Sequence, residues 1–251
     1  MNKQDNAVRL CGRIINRYDR GHVTTLTLSV IETIKGEQRV NYPRVYFFRE
    51  DNTGADKFFL HDEVAITAHI ATPRKYRNTG EEYISQALVG DSIAPRKGMY
   101  ELLNMEGMGK GPLEPQTNTV VFSGTLTSIR KTGDRSAQIV VETINQGKHR
   151  NDITANIAST NVFKMQIGSR VSVTGKVVTG YYEQDEKGRR RRPNPTQDNN
   201  REKVKETSTK PEVEENSEMP VAEEKKWTRV HYQRILGLSI VSDVANTNAE
   251  S

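Results

Sequence analysis

Asn6-Ala7-Val8-Arg9-Leu10-Cys11-Gly12 decides how this chain folds, because it recurs as Asn118-Thr119-Val120-Val121-Phe122-Ser123-Gly124. In each copy apolar side chains alternate, Val8 with Leu10 and Val120 with Phe122, which predicts a strand with one buried face. Two further pairs follow in the same order. Val64-Ala65-Ile66-Thr67-Ala68 matches Val171-Ser172-Val173-Thr174-Gly175, and Leu88 to Ile93 resembles Leu236 to Ile240. The offsets between copies are 112, 107 and 147 residues. The jump of about 40 marks an insertion late in the second copy, between its last two strands.

Composition locates that insertion. The chain has 251 residues, 34% of them hydrophobic, and a formal charge of +5. Apolar content is below the usual ~45–50%, a count that includes glycine. Residues 183–226 hold only Val204, Val213, Met219, Val221 and Ala222 as apolar side chains, against 11 basic and 12 acidic ones. Such a stretch buries too little surface to offset its ordering entropy, so it is expected to be disordered. It opens on Arg189-Arg190-Arg191-Arg192 and closes on a Glu-rich stretch from Glu212 to Glu224. The flanking blocks are basic, with 15 basic against 12 acidic residues in 1–98 and 8 against 3 in 116–182. A modest basic excess suits an anionic partner.

The element order is the same in both blocks. Strands are expected at about 7–15, 23–34, 40–49, 64–75 and 83–93, then at 119–130, 136–145, 151–158, 170–182 and 228–241. One short helix fits 52–60 in the first block. Another fits 159–165 in the second, with Ser159 or Thr160 as N-cap. Five strands with a helix between the third and fourth is the order of an OB-fold barrel. The expected class is therefore all-β, with one short helix per repeat: two tandem five-stranded OB barrels, the second interrupted by the charged insertion. The expected boundaries are 1–95 for the first domain, 96–117 for a linker, 118–245 for the second domain and 246–251 for a short tail.

The first block also resembles the bacterial single-stranded DNA-binding protein family. Asn6-x-Val8-x-Leu10-x-Gly12-Arg13 is similar to its opening strand, and Arg44-Val45-Tyr46-Phe47-Phe48 to its third. Phe59-Leu60-x-x-x-Val64 resembles the turn into strand four. Arg74-Lys75-Tyr76 with Thr79-Gly80-Glu81 resembles the strand-four hairpin. The second block matches more loosely, at 118–125, 168–182 and 227–241. The resemblance implies a sequence-tolerant binder that coats single-stranded DNA in replication, recombination, repair or DNA transfer. It also implies a homo-oligomer, with a dimer favoured for a tandem form. This chain ends in Asn248-Ala249-Glu250-Ser251, where family members carry an acidic tail with a terminal Pro-Phe.

Binding a single strand needs flat aromatics for bases and cations for phosphates. The resemblance marks Tyr42, Phe48 and Tyr76 as stacking candidates. In the chain they lie beside Arg44, Arg49, Arg74, Lys75 and Arg77. The second block offers Tyr181, Tyr182 and Trp227. Arg13, Arg17 and Arg20 in the first block, and Lys131, Lys148, Arg150 and Lys176 in the second, are candidate phosphate contacts. Phe47 and Phe122 are expected in the core, and Phe58 and Phe59 are expected to pack the helix. The sequence does not distinguish DNA from RNA as the ligand. The competing reading is an OB-fold protein-interaction module of a primosome or transfer complex. An accessory role to an enzyme such as a nuclease lacks acidic metal-binding motifs.

Other classes find little support. The lone Cys11 sits in a strand as a small apolar residue. The five histidines show no ligand spacing. No catalytic set, cofactor or metal site is expected, so the chain does not read as an enzyme. Gly107-Met108-Gly109-Lys110-Gly111 lacks the full phosphate-loop spacing and reads as flexible linker. With no long apolar run and no apolar leader, a cytoplasmic protein with no membrane association is expected.

Overall fold

Alternation sets the strands. In Glu63–Ala71 the side chains of Val64, Ile66, Ala68 and Ile70 point inward, and in Ser136–Ile144 those of Ala137, Ile139, Val141 and Thr143 do the same. A period of two with β-branched residues on one face is what a half-buried strand requires. The computed structural model describes residues 6–34, 37–76, 82–102, 111–144, 150–184, 190–191 and 228–242.

In the first repeat the strands are β1 (Asn6–Arg20), β2 (Val23–Ile34), β3 (Glu37–Asn41), β4 (Arg44–Phe48), β5 (Glu63–Ala71), β6 (Arg74–Tyr76), β7 (Glu82–Ile84) and β8 (Ala87–Pro95). In the second they are β9 (Thr117–Gly133), β10 (Ser136–Ile144), β11 (Arg150–Ile157), β12 (Arg170–Gln184), β13 (Arg190–Arg191) and β14 (Thr228–Ser242). The described chain is all-β apart from short helical turns. It divides into two compact units, Met1–Thr179 with Gln233–Ser251, and Gly180–Tyr232.

Within the first unit the pairing closes on itself twice. β1, β5, β8, β4 and β2 form one ring, sealed by β1–β2, with β4 and β8 parallel. β9, β10, β11, β14 and β12 form the other, sealed by β12–β9, with β11 and β14 parallel. In both rings the fifth strand lies between the third and fourth, as the expected OB order requires. β1 and β9 pair antiparallel from Asn6↔Phe122 to Cys11↔Thr117, so the two copies of the opening motif lie side by side. Their asparagines do the same work in each ring. Asn6 Nδ2 donates to the Ile70 carbonyl at 2.7 Å while its Oδ1 accepts from the Ile70 N–H at 3.0 Å. Asn118 holds Val177 in the same way, at 2.7 and 2.9 Å. Gly12 and Gly124 are needed for close approach: a Cβ on Gly12 would meet the Ser29 carbonyl at 2.5 Å, and one on Gly124 would strike that of Glu142.

Prolines account for two departures from the expected strands. The third strand of the first repeat is split by Pro43 into β3 and β4, because proline has no N–H to offer the ladder. Pro73 likewise ends β5 before the hairpin β6–β7. The helix expected in 52–60 is two 3-10 turns, Arg49–Asp51 and Ala55–Lys57, separated by left-handed residues Asn52 and Gly54. In the second repeat a 3-10 helix runs Thr160–Lys164. Ser159 is its N-cap, with Oγ accepting from the Asn161 N–H at 3.3 Å.

The expected flexible linker is fastened at both described ends. The Arg96 guanidinium donates to Glu63 at 2.8 Å and to the Glu114 carbonyl, and buried Glu114 accepts from Arg9 at 3.1 Å. A single helical turn, Met99–Leu102, and a bridge between Gly98 and Leu113 lie between them. Residues 103–110 lie outside the described residues. So do most of the insertion 183–226 and the tail 246–251.

Candidate nucleic-acid interface

Cross-strand register brings outward side chains of the first ring into rows, since residues directly opposite share a face. Asn16, Thr27 and Arg44 form one row across β1, β2 and β4. Tyr18, Thr25 and Tyr46 form the next, and Arg20, Val23 and Phe48 the third. Val45 and Phe47, between these positions, are buried in the core as expected. Tyr18 is 60% exposed, Phe48 40%, and Tyr42 at the foot of β4 50%. The face thus carries both rings and cations; Tyr18, Tyr42 and Phe48 are open to solvent and Tyr46 is half-buried.

Tyr18 and Tyr46 are the functional candidates that sequence reading missed. β1 was expected to end near residue 15. It continues to Arg20, and Asn16-Arg17-Tyr18-Asp19-Arg20 buries nothing for a hydrophobic pattern to detect. The signal was present as another aromatic set between arginines. Phe59 also differs from expectation. Phe58 packs against the core, but Phe59 is 62% exposed, with the Arg17 guanidinium 5.2 Å from its ring centroid.

The other first-repeat candidates divide by their partners. Arg17 is held in place: its guanidinium donates to Asp19 at 2.9 Å and to the carbonyls of Asp56, at 3.1 Å, and Phe58. Arg17 and the Thr24 hydroxyl, by hydrogen bonding to Asp19, hold its carboxyl below the usual carboxylate range. Arg13 pairs with Glu63 at 2.9 Å on an exposed edge. Arg49 is exposed and, with Phe48, Asn52, Thr53 and Lys57, borders a cleft of about 630 Å³. Arg74, Lys75 and Tyr76 form β6, paired with β7 from Arg74↔Ile84 to Tyr76↔Glu82. Arg77 lies outside the described residues.

The equivalent face of the second ring is built differently. Its rows are Thr125, Glu142 and Asp152; Ser128, Val140 and Thr154; and Arg130, Gln138 and Asn156. None is aromatic. Arg150 is paired with Glu142 and, at 3.8 Å, with Asp152. Lys131 pairs with Asp134 at 3.3 Å and is exposed. Lys176 is not at the surface: its side chain is 11% exposed and its ammonium lies 3.5 Å from Glu32. Lys148 and Trp227 lie outside the described residues.

In the second unit, Gly180–Tyr232, Tyr181 and His231 approach with ring centroids 5.9 Å apart, and Tyr182 stacks on Tyr232 at 6.3 Å. The start of the arginine run pairs with β12, Gln184 facing Arg190 and Glu183 facing Arg191. Among the described residues no His, Cys, Asp and Glu group could hold a metal, and no helix is long and apolar enough to cross a membrane.

No family model matches this chain, and no curated protein sequence does. Solved structures do resemble it. A deletion mutant of the single-stranded DNA binding protein from Thermus aquaticus has a TM-score of 0.49 at 17% identity, covering 72% of this chain and 89% of that one. The wild-type Thermus aquaticus protein gives 0.48 at 16% identity, covering 70% and 85%. A Plasmodium falciparum SSB in complex with ssDNA gives 0.30 at 15% identity, covering 38% of this chain and 98% of that one.

Proposed function

We propose that this protein binds single-stranded DNA without sequence preference, through two tandem OB barrels formed by the two closed rings. The observation that carries this reading is the outward face of the first ring, where Tyr18, Tyr46 and Phe48 alternate with Arg20 and Arg44. A single strand presents base faces and phosphates together. Rings spaced along a sheet stack on the bases, each contributing about 1–3 kcal/mol whatever the base. The arginines neutralise phosphates and release counterions. A duplex hides its base faces, so the same platform offers it only the cations.

Tyr18, Tyr42, Arg44, Tyr46 and Phe48 form the stacking platform, with Arg20 and Arg49 on the phosphates at its far edge. Such a coat serves replication, recombination, repair or transfer. The chain acts as a homo-oligomer, a dimer giving four barrels.

Fluorescence anisotropy of a labelled oligothymidylate, against duplex of equal length over a salt series, tests the reading. Strong preference for the single strand is expected, with log affinity falling by roughly 0.7 per neutralised phosphate for each log unit of salt. Equal binding to duplex, or no binding, would sink it and favour a protein partner for the barrels.

A further inference from the structure

Two matching sets of three backbone-to-side-chain hydrogen bonds join the repeats. The Thr72 N–H donates to Asn151 Oδ1 at 3.0 Å, the Asp152 N–H to Thr72 Oγ1 at 3.1 Å, and the Thr154 N–H to Gln86 Oε1. Reciprocally, the Thr179 N–H donates to Asn41 Oδ1 at 3.3 Å, the Tyr42 N–H to Thr179 Oγ1 at 2.8 Å, and the Arg44 N–H to Gln233 Oε1 at 2.8 Å. The partners correspond through the offsets of the internal repeat.

Thr72 and Gln86 flank the two legs of the β6–β7 hairpin, and the Ser85 N–H closes its base on the Pro73 carbonyl at 3.4 Å. Both legs are therefore tied to β11, the strand that fronts the second ring's outward face. A cleft of about 510 Å³ lies at this junction. Gln86 from the first repeat lines it together with Thr127, Ser128, Arg150 and Thr154 from the second.

That second face lacks what a single strand needs. Its rows hold no aromatic ring and include the carboxylates of Glu142 and Asp152. The hairpin anchored beside it carries Arg74, Lys75 and Tyr76. We propose that the first repeat's hairpin completes the nucleic-acid groove of the second repeat, so that a strand on the second face is gripped by residues of the first. This inference rests on the single-stranded DNA reading above.

Double-mutant cycles on the full chain test it, using an oligothymidylate of roughly 30 nucleotides, long enough for two OB faces at about 4–16 nucleotides each. Tyr76→Ala is combined with Arg150→Ala on the second face, and separately with Phe48→Ala on the first. Neighbours that share a bound segment depart from multiplicative effects, while distant sites do not. The combination with Arg150→Ala should differ from the product of the single losses by at least about threefold, and that with Phe48→Ala by less than about twofold. Lys75→Ala repeats the cycle should Tyr76→Ala fail to fold. Coupling to Phe48 instead, coupling to neither, or no loss from the hairpin variants would overturn the assignment while leaving single-strand binding intact. Failure of the unaltered chain to bind the oligothymidylate would defeat the functional reading itself.

Discussion

The two rings share one backbone plan but present different faces. Row for row, Tyr18, Thr25 and Tyr46 of the first correspond to Arg130, Gln138 and Asn156 of the second. Asn16, Thr27 and Arg44 correspond to Ser128, Val140 and Thr154. Inside the rings the correspondence is close: Leu10 and Phe122 are fully buried, and Asn6 and Asn118 make the same paired bonds. Core and buried polar positions are constrained by packing and by unsatisfied backbone groups, which both copies must meet. The outward faces are free of these constraints, and there the copies differ. The first face carries aromatic rings beside arginines, and the second carries polar and charged side chains with Val140 and no ring.

The largest expected effect lies on the first face. Replacing Tyr18, Tyr46 and Phe48 together by alanine should weaken oligothymidylate binding at least about 100-fold, since each lost stack is worth about 1–3 kcal/mol. Arg130→Ala with Asn156→Ala should cost less than about tenfold in the same anisotropy assay. Comparable losses would break the distinction between the faces.

Next come the buried asparagines, where the rings should behave alike. Asn6→Ala and Asn118→Ala each strand a buried N–H and carbonyl, so each should lower unfolding free energy by about 1–3 kcal/mol in urea titrations. A loss confined to one of them would show that the inner correspondence is only geometric. A gain of function sharpens the contrast further. Arg130→Tyr with Asn156→Tyr writes the first ring's row onto the second and should tighten oligothymidylate binding by up to about tenfold.

The smallest effect concerns Asp19, whose carboxyl is held below its usual range by Arg17 and Thr24. A depressed native value contributes stability above the unfolded value of about 3.9, and that contribution disappears as pH falls through the native value. Asp19→Asn should therefore lower Tm slightly at neutral pH and flatten the acid limb of a Tm-against-pH curve.

Much of the fold was legible because hydrophobic alternation fixes strands independently in each copy. β2 and β10 fall where Val, Leu and Ile alternate with polar residues, and the 112-residue offset aligned the opening strands that pair in the structure. What the sequence did not reveal depends on distant partners. Lys176 read as a phosphate contact, but it lies inside a run of three buried residues, Gly175 to Val177, and pairs with Glu32 from the other repeat. Asn41, Asn151, Gln86 and Gln233 are unremarkable polar residues until the reciprocal bonds are seen. The first face was half visible: Phe48 and Arg44 stood in a recognisable strand, whereas Tyr18 lay on an extension that buries no side chain. Exposure is the property that suits Tyr18 to a ligand, and it is also why periodicity passed over it.

Amide hydrogen exchange with a short oligothymidylate, roughly ten nucleotides and so within the span of one OB face, tests the central claim most directly. The account predicts that added protection appears first, at limiting ligand, in β1 from Asn16 to Arg20, in β2 and in β4, with β9 to β11 protected only as longer strands are supplied. Protection that begins in β9 to β11, or rises equally in both rings with the short strand, would contradict it.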